Sequence, residues 1–156
     1  MEIERKFLID KFPSYYPVSE CYAEQGYIST NPEVRIRKVS GGKNVYFYIT
    51  FKSSGDLCRE EVDVPIQQND FNKLKKFIKY PLITKECEFY ALSDGSILEC
   101  SCVDKNQPTE FKYAEIEFKS VEDSDSFEIP NFLGKEITYD EQYKMKNYWV
   151  QKYEKI

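Results

Sequence analysis

The chain has 156 residues, 41% of them apolar and 16% aromatic, which suits one globular domain with a sizeable core and excludes a disordered chain. No apolar run approaches the roughly 20 residues of a membrane span, and a net charge of −5 with no Lys/Arg-rich block argues against nucleic acid or an anionic membrane as partner. Because histidine is absent, Ser-His and Cys-His nucleophile pairs and His-ligated metal sites are excluded.

Apolar and charged residues alternate with a period of two along most of the chain, which predicts strands. In chain order the predicted strands span residues 2–9, 22–29, 34–39, 45–52, 57–66, 84–92, 97–103 and 112–120. A turn at Gly41-Gly42-Lys43 joins two of them as a hairpin. This turn lacks the spacing of a phosphate-binding loop and no helix follows it, so we interpret it as a plain turn.

Two segments predict helices. In residues 70–80 the apolar side chains recur at helical spacing, at Phe71, Leu74, Phe77 and Ile78. Asn69 or Asp70 is expected to cap this helix, and Pro81 to stop it. A terminal helix is expected over 140–155, and 121–130 reads as a loop or short helix. With no βαβ rhythm, the prediction is a single α+β domain over residues 1–156 with an antiparallel sheet.

The five cysteines show no C-x-x-C spacing, and the first residues are charged where a secretory signal would be apolar. These features predict reduced thiols in a cytoplasmic protein.

The polar faces of the predicted strands carry mostly ionic groups, and Ser, Thr, Asn and Gln are scarce there. A solvated sheet face would also be polar, but here like charges are neighbours on one strand, as in Glu2 with Glu4 and Arg35 with Arg37. Such neighbours lie about 7 Å apart and repel by about 2 kcal/mol at an effective dielectric near 20. Carboxylates at this spacing predict a divalent cation between them, and the clustered cations predict a chain of phosphates.

Closure of the sheet gives these charges a common location. About eight strands can form a closed antiparallel β-barrel. If the charged faces point inward, the apolar faces point outward, and we expect the two helices to cover them. The first strand then lines a wet tunnel.

An ordered set of motifs along the whole chain resembles the CYTH superfamily, the triphosphate tunnel metalloenzymes. The first is E-x-E-x-K, formed by Glu2, Glu4 and Lys6. The others follow in the family's order: QGY (25–27), VRIR (34–37), ITFK (49–52), REEVD (59–63), TKE (84–86), AEIEF (114–118) and LGKEIT (133–138). The resemblance implies an eight-stranded tunnel with a charged lumen, whose cations grip a triphosphate and whose carboxylates hold Mg²⁺ or Mn²⁺.

The resemblance also implies individual roles. The phosphate-binding residues would be Lys6, Arg35, Arg37, Lys52, Arg59, Lys85 and Lys135. The metal ligands would be Glu2, Glu4, Glu115 and Glu117, with Glu61 and Asp63 ligating through water or orienting the cations. Tyr27 and Lys85 are candidates for a pair that removes a proton, because a lysine among other cations can lose its proton near neutral pH. The alternatives are wall packing for Tyr27 and a surface position for Lys135.

The chain departs from the family pattern at two positions. Cys87 stands where the family commonly has an arginine, and Ser101 where it commonly has an aspartate. The first change removes a phosphate-binding cation and the second a candidate metal ligand. We expect Cys87 to face the lumen, and Cys100 and Cys102 to face outward.

The expected activity is hydrolysis of a triphosphate by in-line attack of water on the terminal phosphorus. The alternatives are a class IV adenylate cyclase, a thiamine triphosphatase with an aromatic clamp, and a non-catalytic polyphosphate- or nucleotide-binding module. Outer strand faces that no helix covers would allow a homodimer.

Overall fold

A computed structural model describes residues 1–154 and shows nine antiparallel strands in one sheet. The strands are β1 Glu2–Leu8, β2 Ser19–Thr30, β3 Glu33–Gly41, β4 Asn44–Lys52, β5 Cys58–Arg59, β6 Glu61–Ile66, β7 Ile83–Ala91, β8 Ile97–Val103 and β9 Phe111–Glu117. Their spatial order is β5-β1-β9-β8-β7-β2-β3-β4-β6.

The sheet curls into a nearly closed barrel because its two edge strands are consecutive in the chain. β5 pairs with β1, β6 pairs with β4, and only Glu60 separates β5 from β6. The predicted strand 57–66 is therefore split in two, which makes the count nine where eight were expected. The split lets one segment pair with a different neighbour at each end, and so joins the two edges of the sheet.

Residues 133–138 extend this closure along β1. The amide of Gly134 donates to the carbonyl of Leu8 (2.7 Å) and the amide of Ile137 donates to the carbonyl of Lys6 (2.8 Å). The edge of β1 that faces away from β9 is thus paired with β5 at residues 2 and 3, and with this segment farther along.

The helices are short: α1 Gln68–Lys75, α2 Val121–Ser126 and α3 Met145–Trp149, with a 3₁₀ turn at Glu141–Tyr143 and a π-helical turn at Val150–Glu154. The expected capping of the first helix is wrong, because Gln67 is the N-cap and makes no side-chain cap bond. Phe71 is buried and packs on Phe47 (5.1 Å between ring centroids), whereas Phe77 lies beyond the helix and is 75% exposed.

The predicted helix over 140–155 is three separate pieces, and residue 155 lies outside the described residues. This C-terminal segment also lies elsewhere than on the outer strand faces alone, where the helix was expected. Tyr143, Lys144 and Met145 border the interior cavity, while Trp149 packs on Tyr27 at 5.7 Å between ring centroids. The C-terminal segment therefore lies against the cavity instead of only covering outer strand faces.

One apolar core lies on the outward faces of β1, β7, β8 and β9. Phe7, Leu98, Cys100 and Ile116 are almost fully buried there, and Phe127, which follows α2, packs against them. The alternation predicted this separation of faces, because each buried residue is flanked in its strand by residues of the opposite face.

Among residues 1–154 no helix is long and apolar enough to cross a membrane.

Arg5, on the outer face of β1, binds the 133–138 segment through Glu136. Its guanidinium donates to both carboxylate oxygens of Glu136 (2.7 and 2.9 Å) and to the carbonyl of Ser124 (2.8 Å). The hydrogen bond from Arg5 lowers the pKa of Glu136 below its ordinary value of 4.5, against the opposing effect of burial. The pair thus links barrel closure to α2.

We expect Glu136→Gln to lower the free energy of unfolding by about 1 kcal/mol at neutral pH, the size of a partly exposed bidentate pair. Because the folded pKa of Glu136 is depressed, its contribution is complete above pH 4.5 and is lost as the pH falls through the lower folded value. Urea unfolding of both proteins should show the difference at pH 7 and its decline in acid. The exposed Glu128→Gln is the control, and a difference that persists unchanged in acid would contradict the assignment.

Candidate functional site

The barrel encloses a cavity of about 320 Å³ that is lined mostly by ionisable side chains. Its cations are Lys6, Arg35, Arg37, Lys52, Arg59, Lys85 and Lys144. Its carboxyl groups are Glu2, Glu4, Glu33, Asp56, Glu61, Asp63, Glu99, Glu115 and Glu117. The ionic faces of eight strands, β1 and β3 to β9, thus converge on one interior space.

Each strand contributes through its alternation. Glu4 of β1 lies opposite Glu117 of β9, and Lys6 lies opposite Glu115. On the other side of the barrel, β3 turns every second side chain toward the cavity. These side chains are Glu33, Arg35 and Arg37. Side chains that are distant in sequence therefore meet because their strands are neighbours and share one inward face.

Two cations, Lys52 and Arg59, lie near four of the nine carboxyl groups. Lys52 Nζ lies 3.4 Å from Glu2 Oε1 and 3.5 Å from Glu61 Oε2. Arg59 lies 3.4 Å from Glu2, 3.8 Å from Glu4 and 3.5 Å from Glu33. These distances are long for charge-assisted hydrogen bonds. They leave the cations free to turn toward a bound anion.

Two carboxyl–carboxyl pairs form part of the wall. Burial and the neighbouring Glu115 raise the pKa of Glu4 well above its ordinary value, while Lys6 and Lys85 overcome burial and hold the pKa of Glu115 at about 2. In the second pair, burial and the contact with Glu2 raise the pKa of Glu61 to about 7. In each pair the raised pKa of one member favours its protonated form, which reduces the repulsion between the two groups.

These pairs fit a divalent cation chemically. Oxygen donors from carboxylates are the ligands that Mg²⁺ and Mn²⁺ prefer, and a cation would offset the same repulsion as the proton. In the described part of the chain, no three acidic or cysteine side chains already stand at ligand spacing. The predicted ligands therefore share the cavity without being assembled into a finished coordination shell, as suits an ion that keeps several waters.

Lys85 and Tyr27, the candidates for a pair that removes a proton, have different surroundings in the described structure. Lys85 Nζ lies 5.3 Å from the ring centroid of Tyr113, whereas Tyr27 packs against Trp149 and is absent from the cavity lining in the described chain. Burial would lower the pKa of Lys85, but Tyr113, Cys87 and Glu115 raise it above its ordinary value. These neighbours favour the protonated form of Lys85, the opposite of the expectation that it loses its proton near neutral pH.

Lys6 has the depressed pKa that was expected of Lys85. Burial lowers the pKa of Lys6 to about 8, aided by Lys85 and opposed by Glu115. Its Nζ donates to the carbonyl of Tyr143 (2.8 Å) and lies 4.0 Å above the ring of Tyr113.

Lys135 lies outside the cavity. Its side chain is 67% exposed, and Nζ is 3.4 Å from Asp140 Oδ2. Of the two alternatives for this residue, the surface position agrees with the described structure. The neighbouring residues Ile137 and Thr138 line the cavity in its place.

Several lining residues escaped the sequence analysis: Glu33, Asp56, Glu99, Tyr113, Thr138 and Lys144. Glu33 and Glu99 could have been found, because each lies two positions from a residue that the alternation already assigned to the lumen. Lys144 could not, because its place at the cavity depends on tertiary contacts with Asp56 Oδ1 (2.7 Å) and the carbonyl of Gly55 (2.8 Å).

Comparison with known proteins shows relatives of similar length and the same fold. The chain is 31% identical over 151 residues to an inorganic triphosphatase of Nitrosomonas europaea, covering 93% of this chain and 94% of that protein. The crystal structure of the inorganic triphosphatase NE1496 superposes with a TM-score of 0.68 at 28% identity, covering 96% and 95% of the two chains.

A more distant structure shows the same fold. A putative adenylyl cyclase from Hippeastrum, described as having a dominant triphosphatase activity, superposes with a TM-score of 0.60 at 14% identity, covering 80% of this chain and 83% of that one. No family model matches the sequence.

Proposed function

Because the chain belongs to the CYTH superfamily, the triphosphate tunnel metalloenzymes, we propose that it hydrolyses inorganic tripolyphosphate in its barrel cavity with the help of a divalent cation. The observation that carries this proposal is the convergence of seven cations and nine carboxyl groups on one enclosed space. A volume of about 320 Å³ is at the lower end of the range for small-ligand sites, roughly 300–1,000 Å³. The relative of known activity supports the choice of substrate.

The balance of charge supports the need for a metal ion. The lining contains more carboxyl groups than cations, nine against seven. The lining therefore offers a polyanion no net positive charge unless an additional cation accompanies it. We therefore assign Glu2, Glu4, Glu61, Asp63, Glu115 and Glu117 to holding Mg²⁺ or Mn²⁺, either directly or through water.

When bound, the cation would neutralise phosphate oxygens and lower the pKa of the attacking water. The chain's own residues do the remaining work. Arg35, Arg37 and Lys85 bind phosphate oxygens from β3 and β7, while Lys52 and Arg59 can swing from their carboxylate neighbours onto the substrate. Held at several points, the phosphate chain presents its terminal phosphorus in line with the attacking water.

The test is a substrate panel with the purified full chain: tripolyphosphate, ATP and thiamine triphosphate, each with Mg²⁺, with Mn²⁺ or with excess chelator. We expect release of phosphate from tripolyphosphate, and its loss with chelator. Cyclic AMP from ATP would instead identify a cyclase. Tight binding without product would identify a binding module, and turnover that survives chelation would contradict the metal assignment.

A further inference from the structure

Two free cysteines face each other across neighbouring strands. Cys21 of β2 is the direct antiparallel partner of Cys87 of β7, and neither is in a disulfide. Directly opposed residues have Cα atoms about 4.5–5.5 Å apart and side chains on the same face. This separation lies inside the range of about 4.4–6.8 Å that a disulfide bridges. The backbone thus already holds the two thiols where a bond can form.

A small cavity gives access to the pair. It has a volume of about 270 Å³, and its lining includes Cys21, Cys87 and the turn residues Gly41 and Gly42. Gly41 leaves room beside Cys21, since a Cβ there would lie 3.9 Å from the Cys21 Cβ. Cys21 is partly exposed, whereas Cys87 is only 3% exposed. A reagent that reaches Cys87 must therefore be small.

Cys87 has the environment of a reactive thiol. Its Sγ lies 3.4 Å from Ser101 Oγ. The neighbouring Cys21 thiol, together with Lys85 and Ser101, lowers the pKa of Cys87 to about 6 against the effect of burial. The same contact raises the pKa of Cys21. The thiolate, which is the nucleophilic form, therefore forms on Cys87.

The other cysteines lack these features. Burial raises the pKa of Cys100 to about 12 and that of Cys102 to about 11. Cys100 belongs to the outer apolar core, and Cys58 lies on β5 as the partner of Ile3. The register thus sets Cys21 and Cys87 apart among the five.

We propose that Cys21 and Cys87 form a peroxide-reactive dithiol, with Cys87 as the attacking residue and Cys21 as the resolving one. The Cys87 sulfur attacks one oxygen of hydrogen peroxide, the O–O bond breaks, and hydroxide leaves, which gives a sulfenic acid at Cys87. The Cys21 sulfur then attacks the Cys87 sulfur, the S–O bond breaks, and the hydroxyl leaves as water. In total, two thiols and one peroxide give one disulfide and two waters.

The site is distinct from the proposed phosphate chemistry but close to it. Cys87 lies two residues from Lys85 on the same face of β7. The inference does not depend on the proposed hydrolysis, because its test detects oxidation of the thiols directly and can be made with the metal-free protein.

The test is titration of the reduced full chain with hydrogen peroxide, followed by alkylation under denaturing conditions and peptide mass spectrometry. We expect two fewer alkylated cysteines than in the reduced protein, a Cys21–Cys87 linked peptide, and full reversal by dithiothreitol. In Cys21→Ser, the Cys87 sulfenic acid should accumulate and react with dimedone, because its resolving partner is missing. Cys87→Ser should give no dimedone adduct at Cys21.

The matched control is Cys58→Ser, which should still form the same linked peptide. The proposal is overturned by a disulfide that uses Cys58, Cys100 or Cys102, by one between two chains, or by five unmodified thiols after treatment. It is also overturned if Cys21→Ser remains free of sulfenic acid at Cys87, a result that does not depend on how well Cys87→Ser folds.

Discussion

Glu4→Gln is expected to lower the turnover of tripolyphosphate at least about 100-fold, the loss typical of removing one group that stabilises the reacting charge. Glu4 faces Glu115 and Glu117 across the β1–β9 pairing. The substitution keeps the size of the side chain and its place in the wall, but it removes one carboxylate from the group assigned to the metal ion. Rates with saturating Mg²⁺ and with Mn²⁺ measure the effect.

The same substitution should not destabilise the metal-free protein. Burial and the nearby Glu115 raise the pKa of Glu4, so ionising it in the folded state costs free energy at neutral pH. A neutral amide removes that cost, and we expect an unchanged or higher Tm without metal. Lost activity together with retained stability would separate a functional role from a structural one.

Glu122→Gln, on the exposed surface of α2, is the matched control and should retain full activity. Turnover of Glu4→Gln at the wild-type rate would refute the assignment of Glu4 to the metal site. A collapse of Tm with the loss of activity would show instead that Glu4 holds the barrel together.

Arg37→Ala is expected to raise KM for tripolyphosphate by about 10- to 100-fold, equivalent to the loss of about 1.5–3 kcal/mol from hydrogen bonds to a charged group. Arg37 lines the cavity, and no carboxylate oxygen lies within 4.0 Å of its guanidinium among the residues that the structure describes. Unlike Arg59, it therefore has no close ionic partner to lose when phosphate binds. Steady-state kinetics over a range of substrate concentration measure KM and kcat separately.

Lys38→Ala is a close control, because it removes a neighbouring cation on the opposite face of β3. Lys38 is outside the cavity lining and lies 3.8 Å from Glu24. Loss of net charge is the same in both variants, so a general electrostatic effect would change them equally. Equal KM values for the two variants would contradict the inward orientation on which the binding site rests.

The alternation of charged and apolar residues along each strand predicted much of the site. A strand shows its two faces in strict turn, so the lumen positions of Glu2, Glu4, Lys6, Arg35 and Arg37 followed from sequence. The same rule placed Cys100 in the outer core.

The predicted bounds of strands and helices were wrong where contacts between distant segments decide the structure. The amino-acid pattern of residues 57–66 is continuous, but the fold splits it at Glu60 because its two ends pair with β1 and β4. Likewise, Phe77 has helical spacing but lies beyond α1, and the pattern contains nothing that shows where the helix loses its packing partner.

The sequence by itself determined the approximate position of most strands, the face of each that carries charge, and the class of chemistry that such charges serve. Only the tertiary structure decided which groups meet: Lys85 and Lys6 near the ring of Tyr113, and Lys144 of the C-terminal segment at the cavity. The physical reason is that alternation is a property of one strand, fixed by its backbone. Neighbours across a barrel depend on strand order, register and closure, which arise only when the whole chain has packed.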